Sequence, residues 1–323
     1  MAGRPAASAA TPPRGLTGPR ESTGAAQFRA SVVVVAWVVV VALSLLPTVI
    51  AQEVLGRTVS ADLRAGASAA VLALALAATV PWAAGRPLRP LLWLFAVLVG
   101  AQWLVFTRLD SVAPFDAWLR DPSFAVYMPA ELVLNLVVTL AVIATMLVLT
   151  RDRRAFFLAK GDPSAPAAPI PWLAVRPGDR WTSLGRNLAV ILTLGTLAFL
   201  VLSGSPSTET LGRLLPFLPV VLAAAALNAF NEEVTYKASF LAVLVGPVGS
   251  RQALRMVAAY FGLAHFYGVP YGVIGVALAW FLGWILARSM LETRGLWWAW
   301  FIHFVQDVAI FGFMAVGAIT PGG

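Results

Sequence analysis

Six ionisable side chains lie deep within apolar stretches of this sequence: Glu232, Glu233, Lys237, His265, His303 and Asp307. A charge at mid-bilayer costs about 3 kcal/mol on insertion scales, so such residues are rare in membrane helices and mark sites. The histidines are the only two in the chain, and Glu232-Glu233 is its only pair of adjacent glutamates. Carboxylates and imidazoles at one depth can exchange protons with a reacting group, ligate a divalent cation, or relay protons or cations. Helical spacing organises the set. Glu233 and Lys237 are four apart and pair in the favourable order. His303 and Asp307 are also four apart, so Asp307 can hold the His303 imidazole or act beside it. Phe261 and His265 repeat the spacing on a third helix. Glu232 faces away from the Glu233–Lys237 pair and has no local partner. Each group has a structural account when taken alone: an ion pair or an interhelical hydrogen bond also packs helices. Together they exhaust the ionisable side chains that lie well inside the predicted spans, which favours a functional polar site.

The elements that must position them are membrane helices. Of the 323 residues, 59% are hydrophobic and 12% are charged, against about a quarter charged in soluble domains. The apolar runs last about 18–25 residues and lack the alternation of barrel strands. The expected fold is an all-α, polytopic transmembrane helix bundle of about eight or nine spans. They fall near 31–50, 66–84, 90–107, 131–150, 187–204, 214–243, 254–269, 272–287 and 296–318. The sixth is too long for one straight crossing, and the seventh and eighth meet at the turn "GVPYG". Residues 1–30, rich in Pro, Gly, Ala and Ser, read as a disordered cytoplasmic tail. Residues 31–150 form a four-span N-terminal region. Residues 151–186 form a basic, Pro-rich cytoplasmic loop, read as a linker lying on anionic lipid. Residues 187–318 hold all six ionisable groups. Arginine concentrates in alternate loops, at Arg86 and Arg89, through 151–186, at Arg251 and Arg255, and at Arg288 and Arg294. This places the N-terminus in the cytoplasm and the C-terminus outside. The same topology explains the net charge of +8 without nucleic acid. There are no cysteines, so disulfides and thiolate chemistry are excluded. At about 1.5 Å per residue, three helices bring the six groups to one level, near the midplane or in the cytoplasmic half.

Three motifs in order resemble the CPBP family (CAAX proteases and bacteriocin-processing enzymes, also called Abi) of intramembrane glutamic endopeptidases. Glu232-Glu233-Val234-Thr235-Tyr236-Lys237 resembles the family's EExxxR, with lysine in place of arginine. Phe261-Gly262-Leu263-Ala264-His265 matches FxxxH, and His303-Phe304-Val305-Gln306-Asp307 matches a histidine followed four residues on by Asn or Asp. The lead into the third motif, "TRGLWWAWFIH" at 293–303, is similar to the family's "TGSLW"-like segment. The resemblance covers 187–318 and leaves the first four spans without a motif. A lysine keeps the arginine's charge and loses its planar fork.

The resemblance implies hydrolysis of a peptide bond within the plasma membrane, on a peptide precursor or membrane-protein segment. The spans contain no Ser-His-Asp set, cysteine nucleophile or HExxH, so a carboxylate is the natural base. Glu232 is then the expected general base. His265 holds the water or protonates the leaving amine, and His303 with Asp307 orients the water or stabilises the oxyanion. Glu233, Lys237 and Phe261 are supporting residues. No cofactor is expected. A metal-dependent version would use Glu232, His265, His303 and Asp307 as ligands. Two other readings keep the same residues: a non-catalytic immunity or scaffold protein, and an ion-coupled transporter, although no internal repeat is present. High arginine and alanine usage, with Lys160 and Lys237 the only lysines, suggests a GC-rich bacterial source.

Overall fold

The computed structural model describes residues 23–204 and 207–319. The chain is helical almost throughout, without strands among the described residues; only two isolated bridges occur, in the 151–180 loop. Ten helices carry the architecture: α1 (Thr23–Ala42), α2 (Ala61–Ala78), α3 (Arg89–Leu104), α4 (Phe124–Thr150), α5 (Trp181–Gly204), α6 (Leu218–Glu232), α7 (Ser239–Val248), α8 (Ser250–Ala264), α9 (Val273–Thr293) and α10 (Trp297–Ile319). Seven helical segments are long and apolar enough to cross a membrane, and a bent pair, 30–42 with 46–54, makes an eighth. The pair bends by 51° where Pro47 follows Leu46 and the Ser44 hydroxyl accepts the Leu46 N–H. A proline cannot carry the helical ladder through such a point.

The expected tail lies outside the described residues over 1–22. From Thr23 the chain is already helical, because the last tail proline is Pro19 and the following "TGAAQFRA" holds helix formers.

The seventh expected span, 254–269, is helix α8. It has 15 residues, about 22 Å of helix, and stops before His265. The loop that follows carries Gly268, Pro270 and Gly272 before α9 begins. The sixth expected span is one run over 215–248, 34 residues long, with α6 and α7 joined by a π-helical turn at Glu233–Ala238. Its mark is the Ser239 N–H donating to Val234 O, five residues back. Such turns insert one residue into a helix and recur at functional sites.

The four N-terminal spans and the C-terminal bundle share one core. Phe95 on α3 meets Phe240 on α7 at 4.9 Å and Tyr260 on α8 at 5.5 Å between ring centroids. Thr139 on α4 bonds Asn231 at 3.1 Å and Thr235 at 3.0 Å, and Asn231 donates to Leu132 O at 3.1 Å. These buried bonds fix α4 against the turn that begins at Glu233.

The loop after α4 is folded rather than a bare linker, and its last residues, from Trp181, are the start of α5. Phe156, Ile170, Val175 and Trp181 are buried. Its backbone bonds the α9–α10 turn through Asp162 N to Thr293 O and Leu296 N to Ala159 O. Glu292 on α9 accepts the Ala168 N–H and the Trp181 indole, and holds Arg288. Gly161 and Gly295 approach so closely that a Cβ on either would strike the other's backbone. The loop therefore caps one end of α9 and α10.

Candidate active site

Glu233 is the hub of the intramembrane cluster. Its Oε1 accepts from Lys237 Nζ at 2.7 Å and lies 2.7 Å from His303 Nδ1. A carboxylate oxygen in this pairing only accepts, so the hydrogen sits on Nδ1. Glu233 and Lys237 are fully buried, and a buried charge requires such partners. Lys237 Nζ also lies 3.3 Å from the Phe261 ring centroid, a desolvated cation–π contact. Phe261 meets His303 edge to face, with centroids 6.2 Å apart. The same phenyl ring thus touches the ammonium and braces the imidazole.

With Nδ1 held by Glu233, His303 Nε2 faces Asp307 Oδ1 at 3.6 Å and Glu232 Oε2 at 3.7 Å. Both separations exceed a direct hydrogen bond and suit a bridging molecule. Asn228 spans the two carboxylates from the other side, donating to Asp307 Oδ2 at 3.0 Å and to Glu232 Oε1 at 3.4 Å. The Glu232 side chain keeps 24% of its exposure, against 5% for Asp307 and 6% for His303. Glu232 Oε2 and Glu233 Oε2 are buried without a hydrogen-bond partner. Burying such an acceptor is unfavourable unless it is used.

Each helix arrives for an identifiable reason. Trp300 Nε1 donates to Ala226 O at 3.0 Å, which locks α10 onto α6 beside Asn228. Gly283 on α9 leaves room for Phe261; a Cβ there would lie 3.0 Å from its ring.

Of the six residues read from the sequence, five come together: Glu232, Glu233, Lys237, His303 and Asp307. His265 stands apart from them. Its Nδ1 lies 2.8 Å from Phe261 O, and its ring packs on Phe261 with centroids 4.4 Å apart. A carbonyl only accepts, so Nδ1 donates there and the neutral ring keeps a free lone pair on Nε2. His265 makes no hydrogen bond or ion pair with the carboxylates; Phe261 lies between it and His303. Asp307 acts beside His303, 3.6 Å from Nε2, while Glu233 holds the other ring nitrogen. Asn228 was not legible among charged residues. Its signal was an amide one helical turn before Glu232, on the same face.

Two carboxylates, an oriented imidazole nitrogen and a half-buried opening on Glu232 can bind and deprotonate a water molecule. Residues 214–309, which hold all of these groups, match the family model described as type II CAAX prenyl endopeptidase Rce1-like. No curated protein and no solved structure matches the chain. The C-terminal segment around Glu232, Phe261 and His303, about three tenths of the chain, is thus similar to an Rce1-like CAAX endopeptidase domain.

Proposed function

We propose that this multi-pass membrane protein is an intramembrane endopeptidase of the plasma membrane, and that Glu232 activates the water that cleaves a membrane-associated peptide. One observation carries the reading. The unpartnered Glu232 Oε2 faces His303 Nε2 across 3.7 Å, while Glu233 holds the far nitrogen of the same ring.

A water between Glu232 and His303 loses a proton to Glu232 Oε2 as its oxygen bonds to the scissile carbonyl carbon. Three carboxylates surround His303 with the single ammonium of Lys237. A proton on each ring nitrogen, with the Lys237 charge, offsets two of the three, so Nε2–H is the donor to the developing oxyanion. The C–N bond then breaks, the carbonyl re-forms, and the proton on Glu232 passes to the departing amine. Asn228 holds Glu232 and Asp307 in place. His265, with Nε2 unoccupied, accepts a hydrogen bond from the incoming substrate or water at the end of α8. Lys237 makes one charged contact where an arginine would make a fork, and Phe261 supplies its second face.

A metal-dependent version needs Glu232, His265, His303 and Asp307 to converge on one ion. Among the described residues no group of three or more such side chains is arranged to hold a metal, so no step here runs through one.

The test uses the full chain in lipid nanodiscs with a pool of lipid-anchored peptides, and mass spectrometry to find cut products. Wild type cleaves. Glu232→Gln and His303→Ala each lower the rate by about 10²–10⁴, the usual contribution of a general acid–base group, while thermal melting confirms folding. Cleavage unaltered in both variants refutes the mechanism, and loss of cleavage with chelator restores the metal reading.

A further inference from the structure

The four N-terminal spans have no assigned role, yet they build most of a cavity that adjoins the site. It measures about 200 Å³ and lies where α1 ends, α2 begins, and α3 and α8 end. Arg64, Gln102, Tyr236 and Tyr260 supply its polar wall. Tyr236 belongs to the π-helical turn, four residues after Glu232, and lies within the electrostatic reach of both Glu232 and Arg64. Ala264, the neighbour of His265, closes the cavity on the α8 side.

The donors of this wall are unspent. The Tyr236 hydroxyl oxygen accepts a hydrogen bond from Gln102 Nε2 at 2.9 Å, which leaves its own hydroxyl hydrogen to donate. Arg64 lies within electrostatic reach of Tyr260 as well. Its guanidinium has no ion pair or hydrogen bond with any described residue. No Asp or Glu lines the cavity; the nearby Asp62 is bonded to the Trp103 indole on its other side at 2.7 Å. A cation and phenolic donors without a resident anion suit a planar carboxylate, which an arginine fork binds through two parallel bonds.

We propose that this cavity is a substrate subsite that binds a carboxylate of the peptide, with Arg64 as its recognition residue and Tyr236 and Tyr260 as donors. The proposal rests on the endopeptidase reading for its substrate class. It makes the N-terminal region a specificity element: the bound carboxylate is a C-terminal group or an Asp or Glu side chain close to the scissile bond. Tyr236 connects this anchor to Glu232.

The test separates the subsite from the chemistry by using full-length Glu232→Gln protein, in which binding is read without cleavage. Immobilised in nanodiscs, it is offered four pools of random hydrophobic hexapeptides: C-terminal acid, C-terminal amide, and amides with one internal Glu or Gln. Retained peptide is quantified by mass spectrometry. At least one carboxylate pool is retained about tenfold more than its neutral partner, and adding Arg64→Gln removes the preference while Arg64→Lys restores part of it. The acid-against-amide and Glu-against-Gln comparisons tell which carboxylate is bound. Retention without carboxylate preference, preference undiminished in Arg64→Gln, or no retention of any pool overturns the proposal. If wild type fails to cleave while the Arg64-dependent preference stands, the subsite survives and the proteolytic reading falls.

Discussion

Replacing Glu233 by glutamine removes the charge that Lys237 Nζ and His303 Nδ1 share, each 2.7 Å from one oxygen. Lys237 is then a fully buried ammonium with only the Phe261 ring, 3.3 Å away, to hold it. Breaking a buried pair by removing one partner costs about 3–5 kcal/mol. The retained amide oxygen and the cation–π contact, worth about 2 kcal/mol when desolvated, place the expected loss near 3 kcal/mol. The double variant Glu233→Gln/Lys237→Met removes both charges and leaves a flexible thioether on the phenyl face. It should recover to within about 1 kcal/mol of wild type, since a buried pair replaced as a whole is close to neutral. Catalysis should not recover, because neither variant presents a carboxylate to His303 Nδ1. The assay is equilibrium unfolding in mixed micelles alongside peptide cleavage. A double variant no more stable than the single one refutes the view that Lys237 is the charge left stranded. A double variant with full activity refutes the orienting role of Glu233.

Asn228→Ala removes the amide between Glu232 and Asp307, and cleavage should fall by about one to two orders of magnitude with the melting temperature nearly unchanged; an equal loss in both would make Asn228 a packing residue. Gly283→Ala puts a methyl against the buried Phe261 ring and should destabilise by about 1–2 kcal/mol, as overpacking does, measured by the same unfolding titration. Glu292→Gln weakens the acceptor of Trp181, Ala168 and Arg288, and limited trypsin digestion should cut at Arg176 or Arg180 faster than in wild type.

Helical periodicity makes the Glu233–Lys237 pair legible because both residues sit on one helix within reach. The Glu233–His303 bond is not legible in the same way. Its partners are 70 residues apart, and the π-helical turn starting at Glu233 rotates the following residues off the regular 3.6-residue face. A count of charges finds Glu232 and Asp307 and passes over Asn228, because an uncharged amide carries no comparable insertion cost. The folded loop after α4 has no hydrophobic period to read; its order comes from Trp181, Glu292 and the Gly161–Gly295 contact, which join distant segments. The span count reads correctly to within one because apolar length is a strong signal. The remaining span, α8, ends early at a loop whose glycines and proline are visible in the sequence but whose depth is not.

The shortness of α8 bears on the lipid around it. Its 15 residues leave about 8 Å of a 30 Å hydrocarbon layer uncovered, and a bilayer meets such a shortfall by thinning. The short helix ends at Ala264, which lines the Arg64 cavity and adjoins His265. Hydrolysis consumes one water molecule per bond cut, and a substrate helix must surrender its internal hydrogen bonds before its carbonyl can be attacked. A locally thin, wet membrane at that helix end would supply both conditions at one place. For the proposed endopeptidase, turnover should therefore fall as acyl-chain length rises, measured by cleavage in nanodiscs of progressively longer lipids.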